Sequence, residues 1–342
     1  MAEPRFLVLR LSSLGDIVHT FPAVAGLRES FPKADITWLT HPRWSALVES
    51  SALASQVWTV ESRSFTSLAS AIRRLRQEHW DAAIDYQGLW KTAALPFVAG
   101  VKRRIGFSSQ TIREFAVPML YTDRVRCTTT HIAEQNGELS LQAGARESTA
   151  GFTLRVASPD KLAMAAYLHR AGVDRYIVLS PGGGWRSKCW PAERFGALCI
   201  RIRQSLDLRC VVNYGPGEDD LATAVRATSG DADPLFYNGE LGQLMALLRN
   251  GRCIVGGDTG PLHLAIALGT PAVALFGPTD PARNGPYPQP ASSTTTGGED
   301  IVLRTANSIT THRRGNSPAP SMLAIEVQSV FDAVRRRIGG SA

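Results

Sequence analysis

Residues 6–21 read FLVLRLSSLGDIVHTF, and this stretch decides the fold. An apolar run of strand character breaks at Ser12-Ser13, turns through Gly15 and delivers Asp16 to the start of an apolar helical pattern. Strand, tight turn and helix in that order open a βαβ unit, and open α/β sheets gather their chemistry at the carboxyl ends of their strands. Asp16 admits two readings from its residue type. It is a favoured helix N-cap, stabilised by the positive helix end. It is equally a carboxylate presented at a strand end, where it can accept a proton.

The same alternation continues along the chain. Further strands are expected at Ile36–Thr40, Val57–Val60, Asp81–Tyr86 and Arg104–Phe107, with a helix over Leu68–Glu78. A second series runs through Tyr176–Ser180, Leu208–Tyr214, Cys253–Gly257, Ala272–Phe276 and the short Ile301–Leu303. The chain has 342 residues, which exceeds the roughly 100 to 200 of one domain, so two domains are expected. The boundary is placed between residues 150 and 175, around a helical segment at Pro159–Arg170. This gives an α/β protein with domains over residues 1–160 and 172–320. Residues 281–320 are rich in Pro, Gly, Ser, Thr and Asn and read as loop. Met322–Ile338 is an amphipathic closing helix.

Composition narrows the partners. No run approaches the eighteen apolar residues of a membrane span, and the first residues lack a signal-peptide layout, so a cytoplasmic protein is expected. The five cysteines are scattered without a CxxC pair, which argues against a disulfide framework or a zinc site. A net charge of +7 points to anionic partners, with the cations dispersed among acids. Phosphorylated small molecules, an anionic membrane surface and nucleic acid all fit that charge.

Four turns carry candidate chemistry. In residues 253–281, CIVGGDTGPLHLAIALGTPAVALFGPTDP, a strand feeds Asp258-Thr259-Gly260-Pro261 and then a helix. Such a turn exposes backbone N–H groups and the positive helix end to a phosphate, while Thr259 and His263 add side-chain donors. Tight turning and capping by Asp258 explain the same residues structurally. In residues 179–195, LSPGGGWRSKCWPAERF, Gly183 and Gly184 precede Arg186 and Lys188, cations able to neutralise a diphosphate if they are more than a solvated basic loop. The spacing matches neither a P-loop nor a dinucleotide fingerprint. In VNYGPGEDD, residues 212–220, Glu218 is the best placed of three acids to accept ribose hydroxyls, although all three also suit a helix N-terminus. In DYQGLWKTAAL, residues 85–95, a strand ends at Gln87, Gly88 and Lys91. Arg63, Lys91, Arg103 and Arg113 offer cations to an anionic acceptor, or solubility alone. Asp231-Ala232-Asp233 has the look of a DxD metal motif but lacks a supporting ligand. No GxSxG, HExxH or paired CxxC is present, which argues against triad or zinc hydrolysis.

Taken together, RLSSLGDIVHTFPA, DYQGLWKTAAL, GGGWRSKCWP and GGDTGPLHLAIALGTPAVALFGPTDP resemble the bacterial lipopolysaccharide heptosyltransferases of glycosyltransferase family 9. VKRRIGF, QTIRE and HIAEQN are most similar to the heptosyltransferase I branch, which adds the first heptose to Kdo. The resemblance spans nearly the whole chain. Two departures are Arg10, where many relatives have Lys, and residues 304–320, which match no branch.

The resemblance implies a GT-B fold, two Rossmann-like domains facing a central cleft, with helix 321–338 crossing back to the first. It implies inverting transfer from ADP-heptose to Kdo-lipid A or a related lipid-linked acceptor, without metal or other cofactor. On that reading Asp16 is the general base and Lys188 supports the leaving group. Gly183, Gly184, Lys188, Glu218, Asp258, Thr259, Gly260 and His263 form the donor side. Ser13, Gly15, Arg63, Gln87, Gly88, Lys91, Arg113 and His131 form the acceptor side. The same resemblance implies a monomer, peripheral at the inner membrane face, with no nucleic-acid partner. Competing readings are heptosyltransferase II or another family 9 transferase, a non-catalytic nucleotide-sugar-binding protein and, with little support, a nicotinamide oxidoreductase.

Overall fold

The structure is a computed structural model that describes residues 3–111, 114, 116–287, 300–311 and 314–339. The chain divides into two compact units between Arg155 and Val156. The helix Ser158–Arg170 therefore opens the second unit.

The first unit holds a six-stranded parallel sheet of β1 (Arg5–Leu9), β2 (Asp35–Thr40), β3 (Gln56–Thr59), β4 (Ala82–Asp85), β5 (Arg104–Phe107) and β6 (Asp123–Val125), in the order β3-β2-β1-β4-β5-β6. β1 lies at the centre, with Leu7 opposite Thr37 on one side and Ala83 on the other. Phe6 to Leu9 are buried, as expected of a parallel strand covered by helices on both faces. Leu7, Leu9, Leu39, Trp58 and Trp80 build one core layer, in which Trp58 and Trp80 meet edge to face at 5.8 Å. The helices Phe21–Ser30 and Ile132–Gln142 pack together elsewhere in this unit. A Cβ on Gly137 would lie 2.5 Å from the Ser148 carbonyl oxygen, so only glycine permits that backbone approach.

The second unit repeats the plan. β7 (Tyr176–Ser180), β8 (Arg209–Asn213), β9 (Leu235–Tyr237), β10 (Cys253–Gly257), β11 (Ala272–Leu275) and β12 (Ile301–Leu303) form a parallel sheet in the order β12-β11-β10-β7-β8-β9. Counted within each unit, both sheets have the Rossmann order 3-2-1-4-5-6, so each reverses direction between its first and fourth strands. These are the paired Rossmann-like domains of the GT-B class. Ten of the strands fall where the sequence places them. β6 and β9 were not expected, because three-residue edge strands are too short to show a hydrophobic period.

The closing helix, Val327–Gly339, requires a correction. Val330, Phe331 and Val334 enter the same apolar cluster as Val255, Val273 and Leu275, so this helix packs on the second unit's sheet rather than joining the first domain. The indole N–H of Trp190 donates to the Ile325 carbonyl at 2.9 Å, and buried Arg337 pairs with Asp300 at 3.3 Å. Those contacts and its apolar face determine where it sits.

Candidate active site

In the first unit the turns after β1 and β4 flank the switch point, where diverging connections leave room for a ligand. Asp16 is the third residue of the short helix Leu14–Val18, and the N-cap is Ser13. Asp16 is thus not the N-cap itself but the acidic partner of a capping box. Its Oδ2 accepts from the Ser13 backbone N–H at 3.0 Å and from the Ser13 hydroxyl at 2.8 Å. Its Oδ1 faces Arg10 Nη2 at 2.9 Å. The Asp16 side chain nevertheless stays 41% exposed, whereas that of Arg10 is 6% exposed. Capping and presentation to solvent coexist in one carboxylate.

Arg10 also donates through Nη1 to the Tyr86 carbonyl, bridging the two turns. The β4 turn is built around buried Asp85, which accepts from the N–H groups of Gln87 at 2.9 Å and Gly88 at 3.2 Å. It also accepts from the hydroxyls of Thr92 at 2.9 Å and Tyr121 at 2.7 Å. Burial pushes the Asp85 carboxyl above its ordinary range, and these four hydrogen bonds oppose but do not reverse the shift. Gly88 adopts φ of 68°, the left-handed region that glycine enters without a Cβ penalty. Gln87 then reaches back, its Oε1 accepting from Leu11 N–H at 2.7 Å.

Of the acceptor-side expectations, Ser13, Gly15, Gln87 and Gly88 gather at this switch point. His131 caps the helix Ile132–Gln142 through Nδ1 and stands 5.4 Å from the His19 ring, while Asn136 of that helix donates to the His19 carbonyl. The HIAEQN segment therefore packs on the end of the Asp16 loop. Lys91 is exposed in the first turn of the helix Trp90–Ala99 and Arg63 is exposed before the helix Phe65–Arg76; neither joins this cluster of contacts. Arg103 pairs with Asp123 at 2.7 Å instead of facing a ligand. Arg113 lies outside the described residues.

The second unit places its candidates at the equivalent point. Lys188, from the turn after β7, approaches Asp258, from the turn after β10, with 3.8 Å between Nζ and Oδ2. The other Asp258 oxygen meets His263 Nε2 at 2.9 Å. Burial acts to raise the Asp258 carboxyl, but the His263 hydrogen bond and the Lys188 charge outweigh it and hold the group below its usual range. Thr259 is the N-cap of the helix Gly260–Ala267, and its buried hydroxyl has no partner among the described residues. An orphan hydroxyl beside the first N–H groups of a helix suits an anion.

Glu218 braces the glycine turn. Its carboxylate oxygens accept from Gly183 N–H at 3.0 Å and Gly215 N–H at 2.7 Å. Gly183, Gly184, Trp185, Glu218 and Arg314 line a cavity of about 460 Å³. Lys188 and Arg314 both lie over the Trp185 ring, at 4.4 and 5.4 Å from its centre. The unmatched stretch 304–320 thus supplies part of the cavity wall, anchored where Ala319 N–H donates to the Ser187 carbonyl at 3.0 Å. Arg186 also lines the cavity and pairs there with Asp220 at 2.5 Å. Asp233 pairs with Arg209 at the amino end of β8, opposite the candidate turns. Among the described residues no group of three or more His, Cys, Asp or Glu side chains could hold a metal ion.

Each unit thus carries a polar turn at the switch point of a Rossmann-ordered sheet. The model of glycosyltransferase family 9 (heptosyltransferase) matches residues 68–299. The chain belongs to glycosyltransferase family 9. It is 27% identical to lipopolysaccharide heptosyltransferase 1 of Escherichia coli O18:K1:H7, over 93% of this chain and all of the relative. It is 24% identical to lipopolysaccharide heptosyltransferase 3 of E. coli K12, over 78% of this chain and 80% of that one. Among solved structures, a family 9 glycosyl transferase from Veillonella parvula superposes with a TM-score of 0.85 at 23% identity, covering 100% and 99% of the two chains. E. coli heptosyltransferase WaaC with ADP gives 0.69 at 23% identity, over 99% of each chain. This family 9 member is accordingly a glycosyltransferase.

Sequence reasoning did not assign Asp85, Thr92, Tyr121, Trp185 or Arg314 to the two turns. Asp85 had a signal, an acid closing the otherwise apolar strand AAID. Tyr121 and Arg314 approach from distant chain positions, which no local pattern reveals.

Proposed function

We propose that this glycosyltransferase transfers L-glycero-D-manno-heptose from ADP-heptose to the Kdo of the lipopolysaccharide inner core, with inversion and without metal, as heptosyltransferase I does. Asp16 carries the reading. A partly exposed carboxylate, fixed by Arg10 and Ser13 at the switch point, is suited to receive the acceptor hydroxyl proton. A carboxylate is a weak base at neutral pH, so it takes the proton as the acceptor oxygen bonds to the anomeric carbon and ADP departs from the opposite side.

The leaving diphosphate gains negative charge as the bond breaks, and fixed donors aimed there lower the barrier. Lys188, the Thr259 hydroxyl and the N–H groups opening the helix Gly260–Ala267 supply them. Asp258 keeps Lys188 and His263 in place and takes heptose hydroxyls on its remaining lone pairs. Glu218 accepts ribose hydroxyls while bracing Gly183, and Gly184 lets the backbone lie close to the nucleotide. Gln87, Gly88, Lys91, Arg63, Arg113 and His131 serve the anionic acceptor. The protein works as a monomer, peripheral at the cytoplasmic face of the inner membrane, and the excess of cations supports that placement.

The test is ADP release by purified protein given ADP-heptose and Kdo-lipid A. Turnover only with an already heptosylated core would replace this reading with a heptosyltransferase II or III type. Donor binding without ADP release on any core acceptor would favour a non-catalytic sugar-nucleotide binder.

A further inference from the structure

The helix Trp90–Ala99 has an apolar inner side, on which Ala93 and Leu95 are buried, and a second apolar patch that the described residues leave exposed. Trp90, Phe97 and Val98 are 48%, 48% and 45% exposed. Their spacing of seven and eight residues puts them on one helical face. Met119, 72% exposed, comes from the adjoining turn Val117–Leu120, which packs on this helix.

Cations rim the patch. Arg104 lies over the Phe97 ring at 5.4 Å, and Arg76 donates to the Val98 carbonyl at 2.9 Å. Lys91 is exposed in the first turn of the helix, and Lys102 is exposed in the bend that follows it. Glu114 touches this face, its carboxylate accepting from the Trp90 backbone N–H at 2.7 Å, and the four cations outnumber it.

We infer that this face is a docking surface for an anionic phospholipid bilayer. A tryptophan flanked by aliphatic and aromatic side chains, ringed by Arg and Lys, has the chemistry of a segment lying in the headgroup layer: the apolar groups enter the acyl boundary and the cations meet lipid phosphates. A water-soluble protein partner would not require the cationic rim, and a second copy of this chain would set like charges against each other. The inference extends the membrane placement proposed above and rests on it only for its purpose, since binding to lipid needs neither sugar.

The test is sedimentation of the full chain with vesicles of phosphatidylglycerol and phosphatidylethanolamine, against phosphatidylcholine alone. Wild type is expected to partition onto the anionic vesicles and to leave them as salt rises. Phe97→Ser with Met119→Ser is expected to lower partitioning about tenfold, and Lys102→Glu about fivefold. Brominated acyl chains are expected to quench wild-type fluorescence more than that of Trp90→Phe. ADP release with a water-soluble Kdo acceptor is expected to be unchanged in Phe97→Ser, so a failed transferase reading and a failed docking reading give different results. Wild-type partitioning matched by the variants would overturn the inference. So would absent vesicle binding accompanied by self-association that Phe97→Ser abolishes.

Discussion

Arg10 and Asp16 stand 2.9 Å apart, a buried guanidinium holding a partly exposed carboxylate. The same guanidinium reaches the Tyr86 carbonyl, so one side chain ties the β1 turn to the β4 turn. Arginine can do this because its planar fork offers donors in two directions, whereas lysine offers a point charge.

Removing the carboxylate tests the chemistry directly. Asp16→Ala is expected to lower kcat by about 10²- to 10⁴-fold, the range for a lost general base, with ADP binding retained. Arg10→Lys keeps the charge and loses the fork, so it is expected to lower kcat less, with donor KM unchanged. Steady-state kinetics alongside ADP calorimetry separate these outcomes. Unimpaired turnover in Asp16→Ala would remove Asp16 from the reaction.

Asp258 makes stability depend on pH in a defined direction. Because its folded carboxyl titrates below the ordinary value of 3.8, the ionised group contributes stability that is present above that value. That contribution is lost as pH falls through the lower folded value. Wild type is therefore expected to be more stable than Asp258→Asn near pH 6, with the gap closing as pH falls below the ordinary carboxyl value. Urea denaturation across that interval measures it.

Gly182→Ala tests the brace under the glycine turn. A Cβ there would overlap the Glu218 carboxylate, displacing the acceptor of the Gly183 and Gly215 N–H groups. Losing those bonds is expected to weaken ADP binding about tenfold, as one misplaced buried hydrogen-bond set would. Calorimetric titration with ADP reads the change, and an unaltered affinity would dismiss Glu218 as a donor-site organiser.

Tyr121→Phe removes one of four donors to buried Asp85. The expected loss of stability is about 0.5 to 1.5 kcal/mol, the net worth of one hydrogen bond, because the same Asp85 oxygen keeps the Thr92 hydroxyl. Since Asp85 shapes the turn that carries Gln87, a lower kcat/KM for the acceptor should accompany it, with donor KM steady.

The sequence carried the central strands and the turns that follow them, because parallel core strands are continuous apolar runs punctuated by glycine. It also placed Asp16, Lys188 and Asp258 at strand ends. It could not assign the closing helix to its unit, since an amphipathic pattern tells that one face is buried but not against which sheet. Nor could it tell that Arg186 would pair with Asp220 while Lys188 approaches Asp258. Such pairings depend on side chains brought together from distant turns.

The strand order shared by both units has a consequence for how this enzyme can diversify. In the loop after its first strand, one frame carries an acid, Asp16, and the other a cation, Lys188. Each is followed within two residues by a fully buried side chain, Ile17 or Trp190, so the polar residues of each turn are the part open to change. On the function proposed above, which gives the acceptor to the first frame and the donor to the second, a substitution in one turn leaves the other frame's sheet and side-chain contacts in place, so the two preferences can change separately.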